Sequence, residues 1–241
     1  MNNLLLVGKD LPDIFDFAEK LASLDRRIFT VSKTETESSN FESQNIFSST
    51  WNKGSSISSH TLLINAETKL EKINEAIFYF DSSYFASHFD SDKIEDFAPA
   101  IDSMINSFLY CSSELLRRTD QKQENLTVMF LCKSSLSKYE AFNQKTAVAN
   151  SVSTIVSLAE SAFERLAENF SVNVADRKYL SVILAKNQIN NELYKNEKET
   201  AAWAASAFDF ISAMKNHQTV KQAGIWNKVG SKIQTGFSLF K

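Results

Sequence analysis

Asn3-Leu4-Leu5-Leu6-Val7-Gly8-Lys9-Asp10-Leu11-Pro12-Asp13 is the stretch on which the fold turns. Its apolar start predicts a buried strand, which Gly8-Lys9-Asp10 ends. Asp10 can cap the helix that follows, and Pro12 is tolerated in a first helical turn. Ile14, Phe17, Ala18 and Leu21 then recur at helical spacing, placing one apolar stripe against a sheet. Arg27-Ile28-Phe29-Thr30-Val31-Ser32 reads as a second strand. Strand, helix and strand within about 30 residues is the size of a βαβ unit.

Working outward, residues 33–60 are rich in Ser, Thr, Asn and Glu, with Phe41, Ile46, Phe47 and Trp51 among them. They predict a loop with at most a short helix. Thr61-Leu62-Leu63-Ile64-Asn65 and Ala76-Ile77-Phe78-Tyr79-Phe80 read as two further strands. A long helix is expected from Asp92 to Arg118, with Pro99 in its first turn. Leu126 to Cys132 is the clearest central strand. A second long helix is expected over 141–169, lined by Ala147, Val148, Val152, Ile155, Val156, Ala159, Phe163 and Leu166. Tyr179 to Ala185 reads as a strand and Glu197 to Met214 as a helix. The tail after Gly224, with Ile225, Val229, Ile233 and Phe237, reads as an edge strand or a docked helical turn. Strands alternating with helices predict an α/β, three-layer Rossmann-like fold: a mainly parallel sheet of six or seven strands with helices on both faces. No Pro/Gly/Ser-rich linker divides the 241 residues, so a single domain over 1–241 is expected.

A net charge of -3 gives no general attraction to nucleic acid or to an anionic membrane. Neither is expected as a partner. The apolar run to Val7 is too short for a signal-peptide core, and no stretch approaches the roughly 20 apolar residues of a spanning helix. Cys111 and Cys132 lie in apolar surroundings and read as buried reduced thiols, consistent with a cytoplasmic protein. His60, His88 and His217 have no nearby Cys or His companions, so no metal site is expected. The chain has only 5 glycines, and a loop that wraps phosphates needs them for positive φ and close backbone approach.

The order of elements resembles the short-chain dehydrogenase/reductase family over nearly the whole chain. That resemblance implies a Rossmann-like sheet, a nicotinamide dinucleotide and a tyrosine–lysine pair for proton transfer. The family's TGxxxGxG loop is matched here by Gly8-Lys9-Asp10-Leu11-Pro12-Asp13, in which only Gly8 survives. Asp10 and Asp13 beside a helix start would repel a phosphate. The family's NNAG element is replaced by Phe80-Asp81-Ser82-Ser83, leaving Asp81 at a strand's C-terminal end or as a loop cap. Lys133-Ser134-Ser135 stands where the family has its catalytic serine. YxxxK aligns with Ala141-Phe142-Asn143-Gln144-Lys145, so Lys145 matches the lysine and Ala141 replaces the tyrosine. Alanine cannot transfer a proton.

From these departures we expect a degenerate, non-catalytic binding or scaffold protein with no cofactor. It is expected to form a homodimer through the helices near 92–118 and 141–169, with a further protein partner open. One alternative is an NAD or NADP-dependent oxidoreductase with an atypical cofactor site. In it Gly8, Asp81 and Lys145 would lie near the cofactor, Ser134 would polarise a carbonyl, and Tyr139 would donate a proton that Lys145 tunes. A second alternative is a binder of another small ligand at the strand C-termini.

Overall fold

The computed structural model describes residues 1–34, 45–89, 93–145, 151–215 and 224–234. Among them lie seven strands in one wholly parallel sheet. They are β1 (Asn2–Val7), β2 (Arg26–Val31), β3 (Ile46–Ser49), β4 (Glu75–Asp81), β5 (Leu126–Ser134), β6 (Leu180–Gln188) and β7 (Trp226–Lys228), in the order β3-β2-β1-β4-β5-β6-β7. The order reverses between β1 and β4, where the chain crosses to the other half of the sheet. Open α/β sheets bind ligands at such a crevice, outside the strand carboxyl ends.

The helices are α1 (Phe15–Ala22), α2 (Ser56–Leu70), α3 (Ser82–His88), α4 (Phe97–Ile101), α5 (Ser107–Lys122), α6 (Lys138–Asn143), α7 (Thr154–Asn173) and α8 (Glu197–Lys215). A 3-10 turn precedes α4, and a π-helical turn over Asp102–Asn106 joins it to α5. The expected helix near 92–118 is therefore present, with Pro99 in the first turn of α4 and a widened turn in its middle.

Alternation along the strands divides the core into two layers. Leu4, Leu6, Ile77, Tyr79, Met129, Leu131, Ile183 and Ala185 face α1 and α8. Leu5, Val7, Phe78, Phe80, Phe130, Cys132 and Leu184 face the layer of α2, α5 and α7. That second layer carries a ring cluster in which Phe163 of α7 stands 5.3, 4.9 and 5.8 Å from Phe80, Phe108 and Phe130.

Three elements differ from expectation. Thr61 to Asn65 lies inside α2: Ser55 caps this helix through the Ser58 amide, and Leu62, Leu63, Ala66 and Leu70 are buried along one side. The region 33–60 holds edge strand β3 and the start of α2. The expected helix over 141–169 is two helices, α6 and α7. Phe41, Ala147, Val148, His217 and Phe237 fall outside the described residues. No helix among the described residues is long and apolar enough to cross a membrane.

Candidate functional site

The loop after β1 is closed by its own side chains. Gly8 has φ +147°, and a Cβ placed on it would lie 2.0 Å from the Tyr79 carbonyl oxygen. The glycine is required because two neighbouring strand ends approach each other there. Lys9 follows, with its side chain only 5% exposed. Its Nζ donates to Asp81 Oδ2 at 2.9 Å, pairs with Glu197 Oε2 at 3.2 Å and sits 4.6 Å above the Tyr79 ring.

The strand register supplies the other half of this network. Asp81 and Lys133 are direct partners across β4 and β5, so both point to the α1/α8 face. Lys133 Nζ lies 3.1 Å from Asp81 Oδ2 and 2.8 Å from Glu197 Oε1. Each lysine thus bridges both carboxylates. The Tyr79 hydroxyl donates to Glu197, and Asp81 also caps α3 by accepting from the Ser83 and Tyr84 amides. Burial would raise the Asp81 carboxyl, but Lys9 and Lys133 more than offset it and hold it below the ordinary range. Burial would likewise lower the Lys133 ammonium, which Asp81 and Glu197 instead hold above its usual value. Two buried cations and two anions compensate one another, as buried charges must.

Beside the network, the Tyr194 hydroxyl meets Ser83 at 2.9 Å and Ser135 at 2.6 Å. Lys53 pairs with Asp10 at 2.9 Å, and Lys33 with Asp13 at 3.1 Å.

The opposite face of the same sheet edge is built differently. Cys132, Ser134 and Lys186 point toward α7, where Glu160 and Glu164 meet them. Ser82 Oγ donates to Glu160 Oε2 at 2.5 Å, and Lys186 forms an ion pair with Glu164. Cys132 is fully buried, and that burial pushes its thiol well above the ordinary value. Cys132, Glu160 and Glu164 could together approach one metal ion, but Lys186 already supplies the cation there. A cavity of about 170 Å³ opens at this face, lined by Ser134, Ser135, Glu140, Gln144, Glu160, Lys186 and Gln188 among others.

The residues expected from sequence are therefore not brought together as one site. Gly8 abuts Tyr79 beside the ion network, and Asp81 lies within it. Ser134 borders the cavity on the other face. Tyr139 is 74% exposed on α6, Lys145 is exposed just beyond that helix at φ +54°, and neither lines the cavity. Ala141, in the tyrosine's place, is buried. Sequence reasoning missed Lys9, Lys133, Glu197, Glu160 and Lys186. The available signal was a charge at the carboxyl end of an otherwise apolar strand, as at Asp81 and Lys133.

No protein-family model matches the sequence, and no curated protein matches it. Solved structures do match. A 3-ketoacyl-(acyl-carrier-protein) reductase from Brucella melitensis, complexed with NADH, superposes with TM-score 0.62 over 95% of this chain and 96% of its own, at 10% identity. The fold is that of the short-chain dehydrogenases and reductases. ElxO with NADP bound matches with TM-score 0.61 at 13% identity, over 95% of this chain and 96% of its own. A glucose/ribitol dehydrogenase-type short-chain dehydrogenase from Brucella melitensis matches with TM-score 0.62 at 13% identity, over 97% of both chains.

These matches correct two expectations. The non-catalytic scaffold and the absence of any cofactor both rested on missing motifs. Yet the structures that the chain superposes on along nearly its whole length include a reductase complexed with NADH, ElxO with NADP bound and a short-chain dehydrogenase. Missing motifs alone therefore do not support either expectation.

The β1–α1 loop itself does not fit a pyrophosphate held in the glycine-loop manner. A phosphate at Gly8 would meet the Lys9–Glu197, Lys9–Asp81 and Lys53–Asp10 pairs, whose cations are already committed to carboxylates. The family fold is retained while this part of its nucleotide grip is replaced.

Proposed function

We propose that the chain, as one domain over 1–241, is an oxidoreductase that binds NAD or NADP through contacts other than the β1–α1 glycine loop. The observation that carries this reading is the superposition, over 95% of the chain, on a reductase complexed with NADH and on ElxO with NADP bound. The inference from fold to activity is one of analogy. It is supported by a polar cavity at the carboxyl ends of β5 and β6, where α/β sheets place their ligands. Ser134 borders that cavity and is the residue suited to donate to a substrate oxygen. Tyr139 and Lys145 stand outside it, so no proton step is assigned to them.

The test is calorimetric titration of the purified protein with NADH and NADPH, followed by a screen for their oxidation by small carbonyl compounds. Saturable micromolar binding is expected for at least one cofactor. Absence of binding to both at millimolar concentration would overturn the proposal.

Homodimerisation through α5 and α7 belongs to the same proposal. A groove of about 420 Å³ runs between these helices, lined by Phe108, Leu109, Leu116, Phe163 and Leu166, and Leu109 and Leu158 are exposed on them. Sedimentation velocity should show a dimer that Leu109→Arg dissociates; a monomer at every concentration would remove this part. The two free, buried cysteines are compatible with a reducing, cytoplasmic setting.

A further inference from the structure

We infer that the hydroxyls of Ser83, Tyr194 and Ser135 form a proton path between solvent and the cavity at the ends of β5 and β6. The inference rests on the reading that this cavity holds a substrate oxygen beside Ser134. It adds the route by which a proton reaches that oxygen. Ser83 and Tyr194 stand well away in the chain from Ala141 and Lys145, the positions that match the family's tyrosine and lysine.

Three separate elements bring the hydroxyls together. Ser83 is in the first turn of α3, which Asp81 fixes by accepting from the Ser83 amide at 3.0 Å. Tyr194 lies in the 3-10 turn Glu192–Lys195, capped by Asn191, whose side chain accepts from the Leu193 amide. The Lys133 ammonium sits 5.1 Å from the centre of the Tyr194 ring, and Asn187 Nδ2 donates to the Leu193 carbonyl at 3.3 Å. Ser135 is the first residue beyond β5 and lines the cavity.

Their oxygens make a triangle with hydrogen-bonding sides. Ser83 and Tyr194 are 2.9 Å apart, Tyr194 and Ser135 2.6 Å, and Ser135 and Ser83 3.1 Å. Each hydroxyl has one hydrogen to donate and lone pairs to accept, so the ring is satisfied when each donates to the next. Exposure differs sharply around it. Ser83 is exposed, Tyr194 is only 7% exposed, and Ser135 is half-buried against the cavity. One corner meets solvent, one meets the ligand volume, and the buried phenol joins them.

A ligand in the cavity opens the ring into a chain, because Ser135 then turns its hydrogen from Ser83 to the ligand oxygen. As that oxygen gains negative charge it takes the Ser135 hydrogen. Ser135 takes that of Tyr194, Tyr194 that of Ser83, and Ser83 one from water, which leaves as hydroxide. One O–H bond forms for each that breaks, every side chain ends neutral, and no electrons leave the protein. A ligand filling a volume of about 170 Å³ displaces water from the cavity, and a path that meets solvent at α3 keeps its proton supply open.

Hydroxyl exchange reads the path with no cofactor or substrate present. The intact protein carries a carbon label at tyrosine Cζ and is placed in equal parts of light and heavy water. The Cζ resonance differs with the isotope on the hydroxyl, and Tyr194→Phe identifies the Tyr194 signal. The Tyr194 hydroxyl should exchange far faster than the β5 amides, which exchange only when the sheet opens. Ser83→Ala and Ser135→Ala should each slow it at least twofold while leaving it faster than those amides. The double variant, with both ends removed, should be at least about tenfold slower than either single. Ser83→Thr, which keeps a hydroxyl, should stay within twofold of the unmodified protein, and the comparison of Ser83→Thr with Ser83→Ala decides the matter if Ser135→Ala does not fold. A hydroxyl no faster than the β5 amides, an unchanged rate in Ser83→Ala, a double variant no slower than the singles, or Ser83→Thr as slow as Ser83→Ala would overturn the inference. The cofactor titration separates the two claims. Dinucleotide binding beside exchange that ignores the serines removes the path and leaves the oxidoreductase reading. The reverse pattern leaves the path and removes the dinucleotide.

Discussion

Replacing Lys9 by Met keeps an unbranched side chain one atom shorter and deletes one of the four charges at the strand ends. Two contacts are lost, to Asp81 at 2.9 Å and to Glu197 at 3.2 Å. Each has a gross attraction of about 5 kcal/mol at an effective dielectric near 20. Against this, the variant no longer desolvates an ammonium, a saving of several kcal/mol per ion. Breaking a buried pair from one side typically leaves a net loss of about 3–5 kcal/mol. The low end applies here, because Asp81 keeps Lys133 and two amide donors while Glu197 keeps Lys133 and the Tyr79 hydroxyl. We therefore expect Lys9→Met to lose about 3 kcal/mol, a large part of a typical 5–15 kcal/mol total. The assay is urea unfolding at pH 7 with an unchanged m value. Adding Glu197→Gln removes the stranded anion, so the double variant should lose less than the sum of the two singles by about 1 kcal/mol or more. A loss below about 1 kcal/mol, or strict additivity, would refute the claim that these groups form one compensated unit. Weakened NADH binding with unchanged stability would refute it more sharply, because Lys9 would then be a phosphate ligand and not a plug.

Gly8→Ala forces a Cβ to 2.0 Å from the Tyr79 carbonyl at a φ that L residues avoid, so the strand ends must part; a loss above about 2 kcal/mol in the same unfolding assay is expected. Phe163→Ala removes the ring that meets Phe80, Phe108 and Phe130, and should lose about 3–5 kcal/mol by calorimetry or urea. Acid unfolding should follow the carboxylates with lowered pKa. Asp81 is held down by Lys9 and Lys133 against its burial, and Glu114 is held at about 2 chiefly by its Arg117 hydrogen bond. Their stabilisation is complete above the ordinary carboxylate range and is lost as pH falls through the folded values, so melting temperature should drop between about pH 4.5 and pH 2, less steeply in Asp81→Asn. Glu160 has the opposite sign: its folded value is raised, so Glu160→Gln should gain melting temperature relative to the unmodified protein as pH rises above about 4.5.

The sheet was legible in the sequence wherever strands are buried on both faces. The runs Leu4 to Val7, Ala76 to Phe80, Leu126 to Cys132 and Leu180 to Ala185 are almost continuously apolar, with only the small Thr127 and Ser181 and the Tyr79 hydroxyl as polar groups, as central parallel strands should be. Leu62-Leu63-Ile64 looks the same, but periodicity alone cannot separate a short buried strand from a buried helical segment. The wider spacing Leu62, Leu63, Ala66, Leu70 is helical, and the Ser-rich start that hid it supplies the cap at Ser55. The merged helix over 141–169 failed because α6 already ends at Asn143, with Lys145 left-handed beyond it, and α7 starts only at Thr154. The candidate site was harder to read. Lys9, Asp81, Lys133 and Glu197 stand far apart in the chain and meet only because β1, β4 and β5 are neighbours and α8 returns to their carboxyl ends. No local spacing carries that information.

The pleat explains why the two polar clusters differ although they share one sheet edge. In β5, Lys133 points to one face, and Cys132 and Ser134 to the other. On the α1/α8 face, Lys133 finds Asp81 opposite it and Glu197 above it, and with Lys9 every charge is compensated inside the protein. On the α7 face, Ser134 finds Glu160, a carboxyl without a cation of its own among the described residues, and an open cavity beside it. A compensated network has nothing to offer a ligand at less than the loss of its own pairs, whereas an uncompensated carboxyl beside open volume gains from one. Loss of the glycine loop therefore does not bear equally on both halves of the strand ends. The half built around Lys9 is closed by its own ion pairs, and the half built around Ser134 and Glu160 keeps open volume beside it, so that half is the one on which the proposed function depends.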